Sequence, residues 1–142
     1  MRTQSVIFTL GDEEYGIPID AVQEITQIEQ IFPVPKSVNY VRGLIDIRGH
    51  AIPLLDLNMR FGLNAQEKSD FAIIMKINDD VVALGVDQIK EVIWLDDIVP
   101  PPPLISAAFI EGIVNLPGRI IIQLSPERIL EKEELMSLQT LA

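Results

Sequence analysis

Few side chains in this sequence could do covalent or acid–base chemistry. Among 142 residues there is no cysteine and one histidine, His50. That excludes disulfides, thiol catalysis, thiolate metal sites and multi-histidine metal centres. A serine or threonine nucleophile needs a base held by an orienting acid. The one imidazole sits in the turn Arg48-Gly49-His50 and reads as an exposed turn residue. Carboxylates are plentiful, but a general acid needs one whose pKa is raised in an apolar pocket. Asp12, Glu13, Glu14, Asp79, Asp80, Asp96 and Asp97 fall in turns and read as solvated. Neither a glycine-rich phosphate loop nor EF-hand spacing occurs. The residues therefore call for no catalytic group, no metal site and no cofactor. A formal charge of −10 argues against binding nucleic-acid phosphates. No apolar run reaches ~18 residues and no charged-then-apolar leader opens the chain. The expectation is a cytoplasmic protein without membrane insertion.

The elements that carry these residues read as short strands. Val6–Leu10, a Gly11-Asp12-Glu13-Glu14 turn and Tyr15–Ile19 form a hairpin pattern, which recurs around Ile73–Ile77 and Val81–Val86. The recurrence extends further. Displaced by about 67 positions, Asp20 falls on Asp87, Val22 on Ile89, Glu24 on Glu91 and Pro33 on Pro100. After two inserted residues the displacement is about 69, with Gly43 on Gly112 and Gly49 on Gly118, and it returns to about 67 where Leu57 meets Leu124. The chain reads as a tandem duplication, about 5–63 and about 70–130. Each copy offers a hairpin, a middle strand ending at a Pro-x-Pro corner and a second hairpin. Five short strands per copy close most economically as a small barrel, and two marginal barrels should pack together. Ser125-Pro126-Glu127 is a helix-start signal, so a C-terminal helix is expected over about 126–138.

Comparing the copies separates skeleton from surface. Turn glycines, corner prolines and alternating apolar positions are shared, whereas Arg42, Arg48 and His50 stand against Glu111, Pro117 and Arg119. Arg48 presents five donors at a hairpin tip, either to solvent or to a partner carboxylate or carbonyl. Trp94 reads as core or domain-junction packing, with an interface anchor as the alternative. Pro100–Pro103 reads as a structural corner rather than a polyproline ligand, because prolines hold the same place in both copies. Leu104 and Ile105, in the insertion, either fold back onto their barrel or meet a partner.

The segment Phe8-Thr9-Leu10-Gly11-Asp12-Glu13-Glu14-Tyr15-Gly16-Ile17, with Val22-Gln23-Glu24-Ile25, resembles the opening of bacterial chemotaxis coupling proteins, the CheW family. Gly43-Leu44-Ile45-Asp46-Ile47-Arg48-Gly49-His50 through Asp56-Leu57 resembles that family's most recognisable stretch. The resemblance covers about residues 4 to 132 and departs at Asp46, where Asn is usual, and at Pro117. It implies one CheW-like domain over 1–142, mainly β, of two intertwined five-stranded SH3-like barrels with the C-terminal helix. It implies a non-catalytic adaptor that joins the cytoplasmic tip of methyl-accepting chemoreceptors to the regulatory domain of the histidine kinase CheA. Such an adaptor would lie at the inner face of the membrane through receptor arrays. Receptor helices would dock in a mostly apolar groove at the barrel junction, for which the matching residues are Val22, Glu24, Ile47, Arg48 and Gly49. Kinase contacts would involve a barrel end, for which Leu104 and Ile105 are the candidates. An adaptor in pilus motility or another chemosensory pathway, and a small ligand-binding β-barrel, are the alternatives.

Overall fold

The computed structural model describes residues 2–63, 70–77, 79–105 and 107–130. The first repeat supplies β1 (Thr3–Leu10), β2 (Glu13–Pro18), β3 (Val22–Gln27), β4 (Val41–Ile47) and β5 (His50–Asp56). The second supplies β6 (Phe71–Ile77), β7 (Asp80–Val86), β8 (Gln88–Leu95), β9 (Ile110–Leu116) and β10 (Arg119–Leu124). A single helical turn, α1 (Leu57–Arg60), follows β5, with Asp56 accepting the Met59 amide at its start.

The repeats of sequence are not the units of space. One sheet runs β8-β1-β2-β10-β9 and the other β3-β6-β7-β5-β4. Each repeat's first hairpin thus leaves its own strands and completes the other repeat's sheet. The parallel pairings β2–β10 and β5–β7 close the exchange. The connectors require it. β2 ends at Pro18, beside Ser5, whereas a third strand laid beside β1 begins opposite Thr9, as β8 does. To reach that place in its own sheet the chain would have to cross about 13 Å along β1 and about 10 Å sideways. The connector Ile19–Ala21 is one 3₁₀ turn, and three extended residues reach at most about 11 Å. In the second repeat Asp87 alone separates β7 from β8. Crossing into the other sheet is the short path.

The two halves match in detail. The C-terminal hairpins carry the same bulge, Leu54 opposite Gly43 then Leu55 opposite Val41, and Gln123 opposite Gly112 then Leu124 opposite Ile110. Leu124 therefore stands where Leu55 does. The displacement stays at 69 past the hairpin and does not return to 67 at Leu57, because the strand register, not the nearest leucine, sets the equivalence. Both Pro-x-Pro corners are structural. Phe32, just before Pro33, exchanges two backbone hydrogen bonds with Leu44, and Val99, just before Pro100, does the same with Ile113. A Cβ at Gly43 or Gly112 would fall 2.4 or 2.5 Å from the Phe32 or Val99 carbonyl oxygen, so only glycine lets these segments approach.

Ile45, Leu54 and Ile74 centre a small cluster within one sheet, and Ile7, Val114 and Ile121 within the other. The largest cluster lies between them, where Phe8, Tyr15 and Ile17 meet Leu55, Met75 and Leu84. Neither sheet holds enough core to stand alone. Trp94, expected inside, is 53% exposed, because the alternation of edge strand β8 turns it outward, with the Arg2 guanidinium 5.0 Å from its ring centre. Of the expected C-terminal helix, Pro126–Arg128 form a 3₁₀ turn. The Ser125 hydroxyl bonds the Glu127 carboxylate instead of capping a backbone amide. Residues 131–138 lie outside the described ones. Ile129 and Leu130 are buried in the inter-sheet cluster.

An ion-pair cluster ties the exchanged hairpin to its host sheet. Arg119 on β10 donates from Nη2 to Glu14 Oε1 on β2 at 2.6 Å and from Nε to Glu14 Oε2 at 3.1 Å. Its Nη2 also meets Glu91 Oε2 on β8 at 3.0 Å, and Lys90 Nζ lies 3.4 Å from Glu14. The Arg119 hydrogen bond holds the Glu14 carboxyl below its ordinary 4.5, against a smaller opposing push from burial.

The exchange predicts that fragments 1–66 and 67–142 each lack a cooperative thermal transition and regain one when mixed. Circular dichroism melts check this, and a fragment that melts cooperatively alone would refute the shared core. For Glu14 the folded-state pKa is depressed, so its stabilisation is present above about pH 4.5 and lost as pH falls through the folded value. Urea midpoints of the parent should exceed those of Glu14→Gln at pH 7, and the gap should shrink steadily below pH 4.5.

Candidate partner-binding groove

The β4–β5 hairpin sets the geometry of the site. Ile47 pairs with His50, leaving Arg48 and Gly49 as a two-residue turn. Both have positive φ, 51° and 84°, which is the type I′ pattern favoured by strand twist. Arg48 holds the left-handed conformation that a branched residue would resist. Asp46 Oδ1 accepts the Gly49 amide at 2.9 Å and fixes the turn. The second repeat's turn, Pro117-Gly118, differs, because proline holds φ near −65° and only Gly118 is positive, at 70°.

Opposite the turn, β3 carries a bulge between Val22 and Glu24. The extra residue, Gln23, re-aims Glu24 toward the hairpin. Arg48 Nη1 meets Glu24 Oε1 at 2.8 Å. Behind this pair lies a groove of about 570 Å³. Ile47, Ala51, Ile52, Pro53, Val81 and Val82 contribute to its apolar lining, and Gln23, Glu24, Arg48, His50, Asp79 and Asp80 are its polar groups. An apolar groove edged by a few directional charges suits the side of a helix or peptide.

Glu24, Ile47 and Arg48 meet at this groove as the sequence suggests. Gly49 shapes the turn and is not among the lining residues. Val22 packs instead against the inter-sheet cluster. Every lining residue belongs to the sheet β3-β6-β7-β5-β4 or to the turns joining β4 to β5 and β6 to β7, so this groove opens on one sheet and not at the junction of the two. The reason is the bulge, which points Val22 and Glu24 to different places. His50, Val81, Asp79 and Asp80 were missed as groove residues. His50 was visible beside Arg48, whereas β7 enters only through its pairing with β5, which the exchange creates.

Leu104 is 99% exposed in the 3₁₀ turn Pro103–Ile105, on the connection from β8 to β9 in the other sheet. The Ile105 side chain lies outside the described ones. Asp87, the most buried acid described, is a structural group. It accepts hydrogen bonds from the Gly11 amide and from Asn58 Nδ2. Among the described residues no helix is long and apolar enough to cross a membrane.

The model of the CheW-like domain matches residues 4–134. The chain is 31% identical to the chemotaxis protein CheW of Treponema pallidum, across 97% of this chain and 88% of that one. It is 35% identical to the chemotaxis protein CheW of Helicobacter pylori, across 92% and 82%. Its fold matches the crystal structure of the scaffolding protein TtCheW from Thermoanaerobacter tengcongensis with a TM-score of 0.85 and 34% identity, covering 94% of this chain and 96% of that one. With the matched region spanning both sheets, the groove and the exchanged hairpins, the chain belongs to the CheW family of chemotaxis scaffold proteins.

Proposed function

We infer that this protein is a non-catalytic adaptor coupling the cytoplasmic tips of methyl-accepting chemoreceptors to the histidine kinase CheA. It would work in the cytoplasm, held at the inner face of the membrane through receptor arrays. One observation carries the reading. The Arg48-edged groove and the exposed Leu104 turn sit on different sheets, so one rigid body offers two separate surfaces. The groove suits an amphipathic receptor helix, whose apolar side would cover Ile47, Ala51 and Val81 while an acidic or carbonyl group meets Arg48. Leu104 and Ile105 would meet the kinase regulatory domain. Modest contacts suffice where many copies act together in an array.

Calorimetric titration with the regulatory domain of a CheA-type kinase, and separately with a receptor-tip fragment, should give saturable binding to both at sites that do not compete. Binding to neither folded partner would defeat the reading. Arg48→Ala should weaken receptor-tip binding by about 1–3 kcal/mol and leave kinase binding unchanged. Leu104→Asp should do the reverse, costing about 1–2 kcal/mol toward the kinase domain. An unchanged isotherm for either variant would remove that residue from its interface.

A further inference from the structure

The duplication means that the groove has a counterpart on the other sheet. In β8 the bulge between Ile89 and Glu91 matches the one in β3, and it aims Glu91 as that bulge aims Glu24. Strand register makes Glu14 the equivalent of Val81, and Arg119 the equivalent of His50. In the first groove these two positions bound an apolar trough. In the counterpart they carry opposite charges and join in the bidentate pair already described, with Glu91 as the third member. The pairs also differ in depth. Side-chain exposure is 75% for Arg48 and 28% for Glu24, against 28% for Arg119 and 13% for Glu14. The first pair stands on a rim and the second fills a hollow. What remains beside it is a cleft with Asp12, Glu13 and Glu14 on one side and Leu116 and Ile120 on the other.

We propose that Glu14 and Arg119, held by Glu91, form an internal plug that occupies the second barrel's copy of the docking groove, so that each chain offers one helix-binding groove and not two. The proposal rests on the receptor-coupling reading for the identity of the helix, but not for the existence of the plug. The plug determines specificity by occupancy. A helix entering the second groove would have to displace a doubly hydrogen-bonded guanidinium–carboxylate pair and leave both ions desolvated. Strand register keeps apolar residues at the floor positions, with Leu116, Ile120 and Ile121 where the first groove has Ile47, Ala51 and Ile52, so the ion pair and not the floor is what differs.

Transplanting the plug tests it. The double substitution Val81→Glu with His50→Arg places the same two ions beside Glu24, the equivalent of Glu91. Calorimetry with a helical-hairpin fragment of a chemoreceptor tip should show at least a tenfold loss of affinity, with the melting temperature within a few degrees of the parent's. A folded transplant that binds like the parent would overturn the proposal. The reciprocal chain, Glu14→Val with Arg119→His, covers the case in which the transplant fails to fold. Its crystal structure should show an open apolar groove between β2, β8 and β10, and a hollow that stays filled would overturn the proposal. If the parent chain binds no tip fragment, the coupling reading fails by itself, and the reciprocal structure alone decides the plug.

Discussion

Two connectors of one and three residues determine the architecture. Asp87, between β7 and β8, and Ile19–Ala21, between β2 and β3, cannot carry the chain back across its own hairpin, so each hairpin completes the other repeat's sheet. Asp87 is also pinned. Its amide donates to the Thr9 carbonyl at 3.0 Å, and its carboxylate accepts from Gly11 and Asn58. Once the hairpins cross, their inward faces meet between the sheets, and the largest apolar cluster forms there. Separating the sheets would expose that cluster and also undo the parallel pairings, so the two halves are coupled by topology as well as by area. A body whose halves cannot drift apart holds the groove and the Leu104 turn in a fixed relation, as the proposed coupling would require.

Duplication supplies symmetry in the skeleton, and few substitutions break it in the surface. The bulges, the Phe32–Leu44 and Val99–Ile113 bridges and the close-approach glycines recur because backbone geometry demands them in both halves. No such demand acts on Val81 or Glu14, or on His50 or Arg119. At those places one half keeps a trough and the other gains a salt bridge. The fold accommodates both solutions. The difference lies in what each leaves for a third party to touch.

Much of this was legible in the sequence, for reasons that also explain the rest. Strand count, hairpin turns and corner prolines are local patterns, and each survives in the structure. Arg48 and Glu24 could be placed at one site from the resemblance, and their ion pair forms. The residue pattern alone read the copies as separate barrels, because periodicity records which residues alternate and not which sheet they join. The displacement after Leu57 failed similarly, since a leucine-to-leucine match is weaker evidence than the register of a hydrogen-bonded ladder. Trp94 was misplaced because apolar character suggests burial, whereas on an edge strand the phase of alternation decides it. Val81 was invisible as a groove residue because it enters through a parallel pairing that only the exchange creates.

The Arg48–Glu24 pair shows how a weak interaction can serve recognition. An exposed ion pair contributes about 0–1 kcal/mol to stability, so it does little to hold the fold. It does restrain a long side chain that would otherwise sample many rotamers, and ordering such a chain on binding costs about 0.5–1.5 kcal/mol. The strained turn beneath it, fixed by the Asp46 carboxylate, holds the guanidinium over the groove before any partner arrives. A partner acceptor can then share or displace Glu24 cheaply while meeting a donor already in place. At the plugged site the same residue types sink deeper and bond twice, and the balance reverses. Depth and bidentate geometry, not the presence of an arginine and a glutamate, thus separate a contact that invites a partner from one that excludes it.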